Sequence, residues 1–240
     1  MAKLDLANKL SDSGNVQSRT SPTLDRDFDK EIEHGYLTFG WLKRLIDIIV
    51  AVLALAILSP MLVMVAFALY LTQGSGILIS HRRIGKNGVI FPCLKLRTMC
   101  KDGDEVLAQH LATHPVDLAE WNATRKLRND PRVTFIGKTL RKNSIDEIPQ
   151  LLNVIRGEMS LVGPRPITPN ETSFYGRYIH EYMAVRPGLT GLWQVSGRSE
   201  TTYRQRVELD VKYVTQHSIW GDIVIMAKTI PAVLSSRGSY

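Results

Sequence analysis

The stretch LIDIIVAVLALAILSPMLVMVAFALYL, residues 45–71, decides how the rest of the chain is read. It consists almost wholly of Leu, Ile, Val, Ala, Met and Phe, with Asp47 its one formal charge. Such a run exceeds the ~20 apolar residues that carry a helix across a bilayer. Hydropathy alone therefore reads it as a single transmembrane helix, but two features redirect that reading. Ser59-Pro60 stands in the middle of the run, and proline removes a backbone donor and kinks or breaks a helix. Both flanks are basic, with Lys43 and Arg44 before and His81, Arg82, Arg83 and Lys86 after. Positive flanks stay on the cytoplasmic side, so both ends are expected there. A re-entrant segment over residues 39–73, made of a helix, a break and a returning helix, satisfies both observations.

Upstream, residues 1–38 are rich in Ser, Asp, Lys and Asn and show no apolar period. They read as a disordered polar tail, without the apolar core of a secretory signal. Downstream, after Gly74-Ser75-Gly76, residues 74–240 read as a cytoplasmic domain. Ile77 to Ile84 and Val89 to Met99 form two strands joined at Lys86-Asn87-Gly88, because Asn-Gly between β-rich runs signals a hairpin. Glu105 to Leu127 is helical with an interruption at Pro115, and Ser144 to Arg156 is a helix ending near Gly157. Phe135 to Leu140 is ambiguous, and Arg186 to Gly197 is loop-like. Tyr203 to Thr215 is a helix, and Ile219 to Leu234 is amphipathic or interfacial. The expected fold class is α+β: a helix-rich, membrane-associated domain with a small β-hairpin.

The 240 residues suffice for one domain plus an appendage, and a hydrophobic share of 44% supports a sizeable core. The net charge of +7 suits a phosphate-rich partner, whether nucleic acid, nucleotide or anionic bilayer. No stripe of interleaved aromatic and basic residues is present of the kind that stacks nucleic-acid bases, so no nucleic-acid partner is expected. Cys93 and Cys100 flank one predicted strand and read as free thiols in a reducing compartment. A homo-oligomer is compatible with the sequence and is not specified by it.

Four segments carry candidate chemistry. In Arg141-Lys142-Asn143-Ser144-Ile145-Asp146-Glu147-Ile148-Pro149-Gln150, Ser144 and Glu147 have the spacing of a capping box. The plain reading is a helix start. The alternative is a carboxylate pair beside basic residues, where amides and cations hold phosphate oxygens and a metal on Asp146 and Glu147 relieves repulsion. In Gly163-Pro164-Arg165-Pro166 two prolines stiffen the backbone around one arginine, which suits bidentate phosphate binding. In Lys95-Leu96-Arg97-Thr98-Met99 basic and apolar residues alternate, so one face of a strand can be basic. Arg186 to Arg198 contains three glycines, with Trp193 available to stack on a base or fill a core and Arg198 able to hold a phosphate. Asp210, on the following helix, joins Arg141, Arg165, Lys95, Arg97 and Arg198 as a candidate substrate-binding residue. His110 and His114 have helical zinc-ligand spacing, but no third ligand is suitably placed in sequence.

Taken in order, a broken membrane helix, Lys95-Leu96-Arg97-Thr98-Met99, the Arg141–Gln150 segment, Gly163-Pro164-Arg165-Pro166 and Pro187-Gly188-Leu189-Thr190-Gly191-Leu192-Trp193-Gln194-Val195-Ser196-Gly197-Arg198 resemble the bacterial sugar transferase family. These are the monotopic enzymes that prime polysaccharide assembly. The resemblance covers about Trp41 to Leu234 and is nearest the small ExoY-type members. It implies transfer of a hexose-1-phosphate, galactose or glucose, from a UDP-sugar to polyprenyl (undecaprenyl) phosphate. UMP is released, as the first step of exopolysaccharide repeat-unit assembly. It further implies Mg²⁺, a covalent sugar-phosphate on Asp146 with Glu147 as partner, and a phosphate-holding Arg165. The implied location is the cytoplasmic face of the inner membrane, in contact with membrane lipids. Asn143 and Ile145 stand where Thr and Leu are frequent in the family, away from the implied chemistry.

Overall fold

The computed structural model describes residues 22–124, 127–196 and 201–234. Helix α1, Pro22–Gln73, carries the apolar run. Its residues up to 39 belong to an N-terminal unit, Met1–Phe39, and the remainder to a second unit, Gly40–Tyr240. Of the stretch read as a tail, residues 1–21 lie outside the described residues and residues 22–38 are helical.

From Gly40 to Gln73 this helix is long and apolar enough to cross a membrane. It stays helical through Pro60, so the expected break is not an interruption of the helix, and proline leaves room there for a bend. Pro60 has no N–H for the carbonyl four residues back. That carbonyl, Ala56 O, instead accepts a hydrogen bond from Ser59 Oγ at 2.9 Å. The serine hydroxyl supplies the donor that proline lacks, which lets a helix continue without water at hand.

Both ends of the apolar segment are held by the same domain. At the start, Lys43 Nζ pairs with Asp222 at 2.7 Å and with Asp47 at 3.6 Å. Asp47 accepts from Ser160 Oγ and from the Leu161 amide. These charges are buried but paired, the condition under which burial is tolerated. Tyr213 Oη lies 2.9 Å from both Asp222 Oδ1 and Val162 O. At the other end, Leu69 is fully buried with Leu96 and Leu140, and Leu62 and Val65 pack beside them. Between these anchors the helix leaves Val52, Leu53, Ile57, Val63, Met64 and Phe67 exposed.

Strands β1, Leu78–Ile84, and β2, Ile90–Leu96, form the expected antiparallel hairpin, in register from Leu78 opposite Leu96 to Ile84 opposite Ile90. Its turn is a single tight coil at Lys86–Gly88 with positive φ at Asn87 and Gly88, the conformation these residue types accept most readily. Pro115 divides the long helical stretch into α2, Gly103–Thr113, and α3, Pro115–Thr124. The ambiguous segment is helix α4, Phe135–Lys142, capped by Thr134 through the Gly137 amide. His110 and His114 stack on one another, and His110 pairs with Asp117.

The segment read as one helix from Ser144 is divided. A short turn, Ile145–Glu147, precedes helix α5, Gln150–Arg156, which begins after Pro149. The Ser144–Glu147 capping box does not form: Ser144 sits in the left-handed region at φ 55 and caps nothing with its side chain. Helix α5 is tied to β2 by the fully buried Asn153. Its Oδ1 accepts from Leu94 N, and its Nδ2 donates to Pro92 O and to Glu158.

Strand β3, Ser160–Val162, pairs in parallel with β4, Gly188–Thr190, inside the stretch read as loop. Helices α6, Thr172–Tyr175, and α7, Ile179–Ala184, lie between these strands in sequence. Helices α8, Leu192–Ser196, α9, Tyr203–Thr215, and α10, Ile219–Leu234, complete the chain. The architecture is helix-rich α+β, with two two-stranded sheets among the described residues.

Candidate active site

The hairpin and the turn before α5 build the site. In antiparallel strands, residues opposite one another share a face. His81 and Arg83 of β1 therefore share a face with Cys93 and Lys95 of β2. Lys95 Nζ donates to Glu147 Oε1 at 2.7 Å and stands 4.0 Å from Asp146 Oδ2. A cavity beside this pair is lined by Arg83, Cys93, Lys95, Glu147, Gln150, Arg165 and Gln194. Lys95, Asp146, Glu147 and Arg165, singled out in separate segments of the sequence, come together here in the fold.

The two carboxylates are not equivalent. Asp146 is buried, and burial raises its pKa against the pull of Lys95. Burial pushes Glu147 the same way, but Lys95, hydrogen-bonded to it, and Arg165 hold it below its usual range. Neighbouring carboxyl groups driven apart in this way divide the work between them. Glu147 is a fixed anion bound to the lysine, while Asp146 keeps an oxygen that no lysine hydrogen bond occupies.

Arg141 reaches the site from α4, its Nε donating to Thr98 Oγ1 at 2.8 Å, and its charge acts on Asp146. Arg165 is exposed on the loop after β3. That loop is held from both sides: Gly163 N donates to Thr190 O, and Gly188 N donates to Pro164 O. One turn further, Tyr182 Oη accepts from Ile167 N and donates to Ile84 O, fastening the loop to β1.

Two candidates take other roles. Arg97 Nε donates to Gln73 Oε1, Nη1 to Ser75 O and Nη2 to Gln73 O. Its guanidinium therefore closes the C-terminal end of α1, satisfying carbonyls that a helix end leaves orphaned. Asp210 is 2% exposed and accepts from Tyr175 Oη at 2.7 Å. Burial raises its pKa to about 7, and it stands behind the Arg165 loop rather than on the cavity wall. Arg198 lies outside the described residues. Trp193 is buried with Arg206 over its ring at 4.7 Å, so it is a core residue and not a platform for a base. Arg83, Gln150 and Gln194 line the cavity without having been singled out. Arg83 counted only as membrane-flanking charge, although its spacing from His81 on a strand was a usable signal.

Magnesium fits this donor set. Mg²⁺ is held by one or two carboxylates, with water and substrate phosphate completing its shell. Asp146 and Glu147 would supply the carboxylates, beside the Lys95 ammonium that is hydrogen-bonded to Glu147. No cluster of three or more His, Cys, Asp or Glu suited to a metal is present among the described residues, so a site made of protein ligands alone is not offered there.

Comparison with known proteins supplies the context. The family model for the bacterial sugar transferases matches residues 38–236. The exopolysaccharide production protein ExoY of Sinorhizobium fredii is 51% identical over 201 residues, covering 84% of this chain and 89% of that protein. The undecaprenyl-phosphate galactose phosphotransferase of Salmonella typhimurium is 44% identical over 200 residues, which are 83% of this chain and 42% of that protein. The UDP-glucose:undecaprenyl-phosphate glucose-1-phosphate transferase of Caulobacter vibrioides is 40% identical over 207 residues, covering 82% of this chain and 72% of that protein.

Proposed function

Because the chain belongs to the bacterial sugar transferase family, we propose that it transfers a hexose-1-phosphate from a UDP-sugar to polyprenyl phosphate through a covalent intermediate on Asp146. The observation that carries this reading is the asymmetric carboxylate pair, with Lys95 2.7 Å from Glu147 and 4.0 Å from Asp146. In the first step an Asp146 carboxylate oxygen attacks the β-phosphorus of the UDP-sugar. The bond from that phosphorus to the UMP oxygen breaks, and UMP leaves. In the second step a phosphate oxygen of the lipid attacks the same phosphorus and the aspartate is regenerated. Bound Mg²⁺ would neutralise charge on the diphosphate. Lys95 orients Glu147, and Arg83 and Arg165 hold phosphate oxygens at the cavity wall. Phosphoryl transfer depends chiefly on such positioning and charge neutralisation.

The test is UMP release from a panel of UDP-sugars without lipid, with intact-mass measurement of the enzyme. The expected result is about one UMP and one hexose-phosphate adduct per enzyme, with UDP-galactose or UDP-glucose as donor. Turnover that requires both substrates and leaves no adduct would show direct transfer instead. Replacing Arg165 by Lys should lower kcat/KM by roughly 10–100-fold, the loss of one charge-assisted bidentate contact. Steady-state kinetics on UDP-sugar reads this, and near-normal turnover would remove Arg165 from the site.

The membrane segment is proposed to enter and leave on the cytoplasmic face of the inner membrane. Support comes from the two anchors. A straight helix would separate Asp47 and Leu69 by ~33 Å, about the hydrocarbon thickness, yet one domain holds both. Cysteines introduced at Gly40 and Lys86 should label from the same side of inverted vesicles. Labelling from opposite sides would establish a crossing helix.

A further inference from the structure

We propose that His81 accepts the proton of the lipid phosphate monoester in the second half-reaction, an inference that rests on the two-step reading above. His81 is exposed, and its ring nitrogens have no hydrogen-bond partner among the described residues. The register places it opposite Cys93, on the face that also presents Arg83 and Lys95. Cys93, Arg83 and Lys95 line the cavity with Glu147, and His81 lies beside them on the same face of the hairpin. The charged and titratable groups facing it are Arg83 on β1, Lys95 and Cys93 on β2 and Arg141 on α4, with Asp146 and Glu147 beyond Lys95.

Partial burial, and then the charges of Arg83, Lys95 and Arg141, lower the pKa of His81 below its usual value. The ring is neutral near pH 7 and able to take a proton. The two substrates differ in whether they carry one. The diphosphate of a nucleotide sugar is a diester at both phosphorus atoms and has no proton to lose near neutrality. A phosphate monoester has its second pKa at about 6. As a monoanion it must lose that proton for its oxygen to become a strong nucleophile. The proton passes from the phosphate P–OH to a ring nitrogen of His81. The freed oxygen forms a bond to the phosphorus carried by Asp146, and the Asp146–phosphorus bond breaks with its electron pair returning to the carboxylate. The imidazolium then releases the proton to water.

The cations around His81 serve two purposes in this scheme. They attract the monoester, and they keep the imidazole unprotonated until the negative charge of the monoester arrives and raises its proton affinity. A base that acts only on the monoester is silent in the first half-reaction, and that separates this role from a structural one.

The experiment uses the full-length chain in lipid nanodiscs, comparing His81→Gln with the unmodified enzyme. Adduct formation from UDP-sugar without lipid should stay within about twofold between pH 5.5 and 8.5, since no base is needed there. Chasing the preformed adduct with undecaprenyl phosphate should be slower by ~10-fold near pH 5.5, where about three quarters of the lipid phosphate is still the monoanion. The deficit should shrink toward ~3-fold above pH 7.5, where the lipid phosphate is already dianionic. A chase rate equal to that of the unmodified enzyme at every pH, or a deficit that does not vary with pH, overturns the proposal. Parallel loss of adduct formation marks His81 as structural and also overturns it. If the unmodified enzyme turns over without any adduct, the two-step reading itself has failed, and the adduct mass reports this separately from the chase.

Discussion

Asp146→Asn should abolish both UMP release and lipid-linked product, by ~10⁴-fold or more, because the amide lacks the anionic oxygen that forms the intermediate. The expected loss follows from the arrangement at the turn before α5. Glu147 lies adjacent in sequence, but its carboxylate is bound to Lys95 at 2.7 Å. It cannot take over the attack without breaking that bond. The variant should fold normally, since Asn has the shape of Asp and removes a carboxyl that burial already disfavours as an anion. The decisive measurement is mass spectrometry after incubation with UDP-sugar alone. The unmodified protein should gain one hexose-phosphate, peptide mapping should place it on Asp146, and the Asn variant should gain none. An adduct on any other residue would overturn the assignment.

Gly188→Ala should destabilise the domain by about 3 kcal/mol, the upper end of the usual cost of overpacking, because the groups met cannot move aside. Strands β3 and β4 approach so closely that a Cβ at Gly188 would collide with the backbone of Gly163 and Thr190. The reciprocal position is as tight: a Cβ on Gly163 would lie 2.6 Å from Arg186 O and 2.8 Å from Gly188 N. Both collisions are with backbone. Thermal unfolding of the detergent-solubilised variant should fall by roughly 6–12 °C, given 2–4 °C per kcal/mol for a domain of this size. Any protein that remains folded should show weakened UDP-sugar binding, because the Arg165 loop hangs from this strand pair. Gly40→Ala is the control, since its Cβ meets nothing within 4 Å. A Gly188→Ala protein as stable as the control would show that the crossing is looser than described.

Sequence reading succeeded where a local signal and a tertiary role coincide. Asn87-Gly88 specifies a turn on its own, so the hairpin carrying Lys95 was legible, and the Asp146-Glu147 pair was visible as charge beside charge. The reading failed where a contact from elsewhere in the chain decides the role. Arg97 shares the alternating pattern of Lys95, and only the proximity of Gln73 turns it into a helix cap. Asp210 is a carboxylate on a helix until Tyr175 and the surrounding core cover it. Strands of three residues, such as β3 and β4, are too short to show a period, and their parallel pairing spans the two helices between them. At Ser144 the capping spacing was genuine but Pro149 had the stronger claim. With no N–H to give, it starts a new helix and leaves the preceding turn free to present Asp146.

Arg97, which closes the end of α1, sits two residues from Lys95, one position past the end of β2. Strand rise is ~3.4 Å per residue, so the two positions are separated by only ~7 Å. The helix exit and the lysine that grips Glu147 are therefore joined by a short rigid strut, without a flexible arm between them. On the proposed topology this strut would hold the site at a set distance from the membrane segment. A lipid phosphate could then meet Asp146 from the bilayer side without its tail being drawn out.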